Sequence, residues 1–73
     1  MKFQEFDVVK LTIDLPEHGL KTGDTGTVVE VFQKPDEAYL VEFCDESGEE
    51  VHTDFFKPDE LELVQRAKTA GKP

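Results

Sequence analysis

The chain has 73 residues, of which 37% are hydrophobic and 34% charged, and its formal net charge is −9. This length allows one globular domain with a small core, and no apolar run is long enough to cross a bilayer. The single Cys44 excludes an internal disulfide, and Glu5 interrupts the N-terminus before the apolar stretch of a secretory signal can form, so we expect a cytoplasmic protein without a membrane partner.

The sequence predicts short strands, because no segment keeps a helical period of 3.6 residues over the length of a helix. The first predicted strand is 6–13, and a change in the parity of its apolar residues predicts a bulge near Val8 and Val9. A glycine-containing loop follows, and the second predicted strand is 26–33. The turn after it, at 34–37, contains a proline suited to its second position.

Three more strands are predicted in the second half of the chain. A turn at 45–48 joins strands at 38–44 and 49–55 into a hairpin. A single helical turn at 57–60, with proline in its first position, leads into the last strand at 61–64. We therefore expect an all-β fold, a small five-stranded barrel that is closed or nearly closed.

This barrel is expected to be the only domain, at residues 1–64, followed by a flexible tail at 65–73 that has little to bury. Gly19, Gly23 and Gly26 are predicted to be structural turn residues, since glycine allows a positive φ or a close backbone approach. A phosphate-binding loop is disfavoured, because a β-branched run follows these glycines instead of a lysine at the start of a helix.

Three segments together resemble a bacterial family of short proteins. They read DVVKLTIDLPEHGLKTGDTGTVVEVF, AYLVEFCDESGE and PDELELV, and they are similar to a domain-of-unknown-function family that has a DLPEHGL segment followed by a G-x-x-GTVVEV segment. The resemblance covers about residues 6–64. It implies an SH3-like barrel with a short 3-10 turn before the last strand, related in shape to the RNA-binding KOW motif and to the barrel of the nitrile hydratase beta subunit. It implies no established activity and no catalytic residue.

Few side chains offer chemistry. The spacing of His18, Cys44 and His52 matches no metal-ligand pattern, so two exposed or half-exposed histidines are favoured over a metal site. Neighbouring acids disfavour the Cys44 thiolate, and Ser47 lies in a turn that its hydroxyl can support. We therefore expect no enzyme activity, no catalytic residue, no metal and no cofactor.

The negative charge is concentrated in residues 25–64, where two lysines and twelve acids give −10, against −2 for residues 1–24 and +3 for 65–73. Such a field repels phosphate backbones and attracts basic proteins. Nucleic-acid binding by a basic, KOW-like face is therefore disfavoured. Solubility is the simpler explanation of the same charge.

The chain has more aromatic rings than a small barrel needs, six phenylalanines and one tyrosine. Alternation assigns four rings to the core, those of Phe6, Tyr39, Phe43 and Phe55. Phe3, Phe32 and Phe56 are then candidates for exposure, and Phe32 and Phe56 are predicted before any other residue to contact a protein partner or a second copy of the chain. The alternative is that a curled sheet edge or the tail covers them.

Two classes of function remain. The first is a non-enzymatic interaction module that docks a basic protein, as an accessory subunit or as the neutralising half of a toxin–antitoxin pair. The alternative is a nucleic-acid-related role, either as a mimic of DNA charge or as a KOW-like RNA binder. A metal-linked accessory role like that of the nitrile hydratase subunit rests on fold analogy alone.

Overall fold

The computed structural model describes residues 2–67, which form one five-stranded antiparallel sheet. The strands are β1 (Val8–Leu11), β2 (Thr25–Phe32), β3 (Ala38–Cys44), β4 (Glu50–Phe56) and β5 (Leu61–Gln65). Two 3-10 turns, η1 (Pro16–His18) and η2 (Pro58–Glu60), precede β2 and β5. The predicted all-β fold, with a 3-10 turn before its last strand, is confirmed.

No helix within residues 2–67 has the length and apolar character needed to span a membrane. The strands are ordered β4-β3-β2-β1-β5, so that β1 lies between β2 and the C-terminal β5. Val9 of β1 is opposite Gly26 on one side and Leu63 on the other. The register between β1 and β5 shifts between Val8 and Val9, and this confirms the bulge predicted there.

The first strand is shorter than predicted, because the segment 6–13 begins in a turn and bends after Leu11. At its start the carbonyl oxygen of Gln4 accepts the Asp7 N–H at 3.1 Å, and Phe6 inside this turn has a φ of 72°. A positive φ at the third turn position is characteristic of type II turns, which reverse the chain before β1. At the other end, the Thr12 N–H donates to the carbonyl oxygen of Glu60 in η2 at 3.0 Å.

One hydrophobic core receives side chains from all five strands and from two other segments. Its buried members are Phe3, Val9, Leu11, Leu20, Val28, Tyr39, Val41, Phe43, Phe56 and Leu61. The β3 residues among them alternate as predicted. Two residues directly opposite each other in an antiparallel pair have their side chains on the same face. The β4 residues opposite the buried β3 residues therefore show which parity of β4 is directed toward the core.

That parity of β4 is opposite to the predicted one. Phe56 is opposite Tyr39 and is 4% exposed, whereas Phe55 is opposite Leu40 and is 58% exposed. The predictions of an outward Phe56 and a buried Phe55 are therefore wrong. The apolar alternation of β4 favoured the parity of Val51 and Phe55, but the core is closed by Phe56, whose ring meets that of Phe43 edge-on at 5.7 Å.

The assignment of Phe6 to the core is also wrong, since its side chain is 64% exposed. Its place is taken by Phe3, which packs edge-on against Tyr39 with ring centroids 5.1 Å apart. Phe3 is 1% exposed, so its prediction as a candidate for exposure is wrong. The turn at Phe6 explains the exchange, because it reverses the chain just after Phe3 has entered the core.

The three predicted turn glycines lie at two turns and one close backbone approach. Gly19 and Gly23 have φ values of 72° and 95°, which side chains rarely allow. Gly26 lies within β2, where an added Cβ would be 2.8 Å from the carbonyl oxygen of Glu42 and 2.8 Å from Cγ1 of Val41. A side chain at this position would therefore push β2 away from β3.

The C-terminal segment is part of the fold as far as residue 67. β5 ends at Gln65, and Arg66 and Ala67 both hydrogen-bond to the buried Asp7, so these residues do not belong to the predicted tail. The rest of that predicted tail, 68–73, lies outside the described residues.

Candidate functional site

The outer face of the sheet carries a partly exposed apolar cluster, which we call the aromatic surface: Phe32, Leu40 and Phe55. The rings of Phe32 and Phe55 lie 5.5 Å apart at an angle of 60°. Leu40 of β3 is the cross-strand partner of Phe55, and both Phe32 and Leu40 are half-buried. The pairing of β2, β3 and β4 therefore brings three apolar side chains together on the face opposite the core.

Acidic side chains border this aromatic surface. Glu30 of β2 is opposite Leu40 and is exposed, and Glu42 of β3 lies two residues beyond Leu40 on the same face. Both belong to the segment of the chain that holds most of its negative charge. The aromatic surface thus combines apolar rings with a negative border.

Of the two residues predicted to contact a partner, the structure places only Phe32 in the aromatic surface. Phe56 lies in the core, and the ring that accompanies Phe32 is that of Phe55. Sequence reasoning identified the correct pair of adjacent rings, since neighbours in a strand face opposite sides. Which of the two faces outward depends on packing against β3, and the apolar alternation of β4 indicated the wrong one.

A second group of functional interest, which we call the histidine cluster, consists of His18, His52 and Asp54. The rings of His18 and His52 stack with centroids 4.1 Å apart and an interplanar angle of 17°. Nε2 of His52 lies 3.3 Å from Oδ2 of Asp54. One possible ligand atom from each of the three residues lies within 4.8 Å of the others. Sequence reasoning considered both histidines with Cys44 and missed Asp54.

Two separate elements position the histidine cluster. On β4, His52 is opposite Phe43 and Asp54 is opposite Val41, so both lie on the core-directed parity while remaining half-buried. His18 ends η1, whose loop is closed by two backbone hydrogen bonds between Leu15 and Leu20, at 2.9 and 3.1 Å. The H-x-D spacing could have indicated that His52 and Asp54 lie on the same face of a strand. No local pattern in the sequence indicated that η1 lies beside that strand.

Local hydrogen bonding holds Asp54 in its charged form. Its Oδ1 accepts the backbone N–H of Phe55 at 2.7 Å, and this bond lowers the pKa of the Asp54 carboxyl, with a further contribution from His52. The opposing effect of partial burial is smaller. Oδ2 of the same carboxylate is directed toward His52.

Cys44 is the last residue of β3 and Ser47 lies in the turn that follows, so neither belongs to the aromatic surface or to the histidine cluster. Partial desolvation and the negative charges of Glu42, Glu50 and Asp45 raise the pKa of the Cys44 thiol, so the thiolate is disfavoured. The Ser47 hydroxyl donates to Oδ1 of Asp45 at 2.6 Å and supports the turn.

A family match covers most of the chain. The model of the family described as Domain of unknown function (DUF4926) matches residues 5–63, a segment that includes both the aromatic surface and the histidine cluster. No curated protein and no solved structure matches the chain. The resemblance to a domain-of-unknown-function family is thus confirmed, and the chain belongs to the family Domain of unknown function (DUF4926).

Proposed function

We propose that the chain is a non-enzymatic interaction module that binds a basic protein through the aromatic surface. The observation that carries this proposal is the contact between Phe32 and Phe55 on the outer face of the sheet, with Phe55 58% exposed. Phe32 is half-buried, so the two rings form a partly exposed apolar patch, and such patches mark interaction sites. Aromatic residues are also enriched in the buried centres of interfaces. A bacterial, cytoplasmic setting belongs to the same proposal.

The charge of the chain supports a basic partner. The net charge is −9, and Glu30 and Glu42 border the aromatic surface. Three of the described cations lie within ion-pair distance of acids on the same chain: Lys10 with Glu62, Lys21 with Asp24, and Arg66 with Asp7. A second copy of the chain would bring the same negative field to the interface, so a homodimer through this surface is less favourable than a complex with a basic protein.

We also propose that the fold is an SH3-like barrel. The strand order β4-β3-β2-β1-β5 and the position of η2 directly before β5 support this relationship. Phe56 of β4 and Leu61 of β5, from the two ends of the strand order, contribute to one core. A curled sheet accounts for this arrangement and leaves its outer face free for binding.

The proposal is tested by capture from a lysate of the natural source with three baits: the wild-type chain, Phe55→Ala and the control Phe6→Ala. Phe6 is as exposed as Phe55, so the control removes a comparable exposed ring. Phe6 lies away from the aromatic surface, because its N–H donates to the carbonyl oxygen of Val28, four residues along β2 from Phe32. We expect one stoichiometric protein with the wild type and with Phe6→Ala. The captured protein should bind Phe55→Ala about tenfold or more weakly than the wild type, because rings at the centre of an interface contribute most of the binding energy.

Salt dependence and variant dependence together separate the alternatives. Binding should weaken between low and moderate salt, since the attraction between exposed charges is screened. A salt-sensitive partner that Phe55→Ala captures as well as the wild type does would contradict the aromatic surface and favour a mimic of DNA charge. If the wild type instead forms a dimer without any other protein, and Phe55→Ala abolishes that dimer, the proposal of a separate basic partner would be contradicted.

A further inference from the structure

The histidine cluster has the donor set of a transition-metal site, and it is formed by residues far apart in the chain. His18 comes from η1, whereas His52 and Asp54 come from the same face of β4. Two imidazoles and a carboxylate are ligands suited to zinc and neighbouring divalent ions. The cluster is also accessible, because the His18 side chain is exposed and the other two are half-buried.

We propose that His18, His52 and Asp54 bind one divalent transition-metal ion of the zinc class. Each residue supplies one ligand, and these ligand atoms already lie within 4.8 Å of one another. Three protein ligands leave the fourth tetrahedral position to water. The site is independent of the aromatic surface, since Asp54 and Phe55 are adjacent in β4 and lie on opposite faces.

Metal binding requires a small rearrangement within the histidine cluster. Tetrahedral ligands about 2.1 Å from zinc are about 3.4 Å apart, so the ligand atoms must approach one another. The nitrogen lone pairs lie in the planes of the rings, so the nearly parallel rings of His18 and His52 must tilt to direct them to one point. The exposed His18 side chain has the freedom to make this movement.

The surroundings of Asp54 favour binding. The Phe55 N–H bonds to Oδ1, which fixes the carboxylate while Oδ2 is directed toward the histidines. Such hydrogen bonds to a ligating carboxylate orient it for the metal. The excess of acids in residues 25–64 also raises the local concentration of cations. Once bound, the metal would connect η1 to β4 across 34 positions of the chain.

The test is calorimetric titration of the full chain with zinc chloride and, separately, with magnesium chloride. We expect one zinc ion per chain and no comparable response to magnesium, which prefers oxygen ligands. His18→Ala is the principal variant, because this exposed side chain is the one least needed for folding; zinc affinity should fall at least tenfold. Asp54→Asn should also weaken binding, and Cys44→Ser is the matched control that leaves it unchanged.

A spectroscopic measurement assigns the ligands directly. In the wild type, zinc should shift the imidazole nitrogen resonances of both histidines and raise the melting temperature, since a ligand that binds the native state stabilises it. Equal zinc affinity in His18→Ala and the wild type would overturn the proposal, because the ion would then be held by surface carboxylates. Equal binding of magnesium, one zinc shared by two chains, or no saturable zinc binding would overturn it as well.

Discussion

The hydrogen-bond network around Asp7 and the histidine cluster differ in burial and in how well their polar atoms are hydrogen-bonded. Asp7 is 0% exposed, and its carboxylate accepts the N–H groups of Gln4 and Ala67 and an Arg66 Nη1–H, at distances of 2.9, 2.7 and 2.8 Å. In the histidine cluster the corresponding distance, between His52 and Asp54, is 3.3 Å, and its members are half-buried or exposed. The first cluster is a closed structural junction, whereas the second retains accessible atoms for a ligand.

The junction at Asp7 joins the two ends of the described chain. Burial, the largest single influence, raises the pKa of Asp7, but the hydrogen bonds from Ala67 and Gln4 and the charge of Arg66 together lower it. The fold therefore stabilises the charged form of the Asp7 carboxyl, and by linkage the charged carboxylate contributes to the stability of the fold. His18 is exposed, so no comparable burial restricts its side chain.

The largest expected effect comes from Asp7→Ala, which removes the acceptor of two backbone N–H groups and of Arg66. A hydrogen bond to a charged group contributes about 1.5–3 kcal/mol, and these three bonds are only part-buried, so the free energy of unfolding should fall by about 2–4 kcal/mol. Chemical denaturation measures it. The matched control, Asp54→Ala in the histidine cluster, should cost about 1 kcal/mol or less, because Asp54 is only half-buried. Equal losses in the two variants would contradict the contrast between the clusters.

The pH dependence of stability provides a second test of the junction at Asp7. Because the pKa of folded Asp7 is lowered, its contribution to stability is complete above the pKa of the unfolded carboxyl, about 3.9, and is lost as pH falls through the folded value. We expect wild-type stability to fall below about pH 4, with a smaller dependence in Asp7→Asn. Denaturation curves measured from pH 7 down to pH 2 test this, and parallel curves for both proteins would assign the acid sensitivity to other carboxyls.

The smallest effect is expected for His18→Ala in metal-free buffer. The side chain is exposed and its contact with His52 is a single stacked ring, so the free energy of unfolding should change by no more than about 0.5 kcal/mol. Thermal unfolding with a chelator present measures it. A loss of 2 kcal/mol or more would show that the histidine pair, like Asp7, stabilises the fold.

The sequence predicted the parts of the fold that local patterns encode. β3 has its predicted bounds, Ala38–Cys44, because alternation and the flanking turns define it. The bulge at Val8 and Val9 and the turn before β5 also follow from nearby residues. The Asp7–Arg66 ion pair spans 59 positions and has no local signature, so the prediction left Arg66 in the tail.

The candidate sites were predicted only in part, for the same reason. Adjacent phenylalanines indicated one exposed ring, but packing of β4 against β3 decided that it is Phe55 rather than Phe56. The two histidines were recognised as individual residues. Their meeting depends on where η1 lies against β4, a tertiary contact that spacing in the chain does not encode.

Photo-cross-linking in cells that naturally produce the chain tests the proposed interaction most directly. The photoreactive residue p-benzoylphenylalanine would replace Phe55 in one variant and the equally exposed Phe6 in another, and the cross-linked proteins would be identified by mass spectrometry. We predict a single basic protein cross-linked from position 55 and absent from position 6. No specific product from position 55, or the same product from both positions, would contradict binding through the aromatic surface.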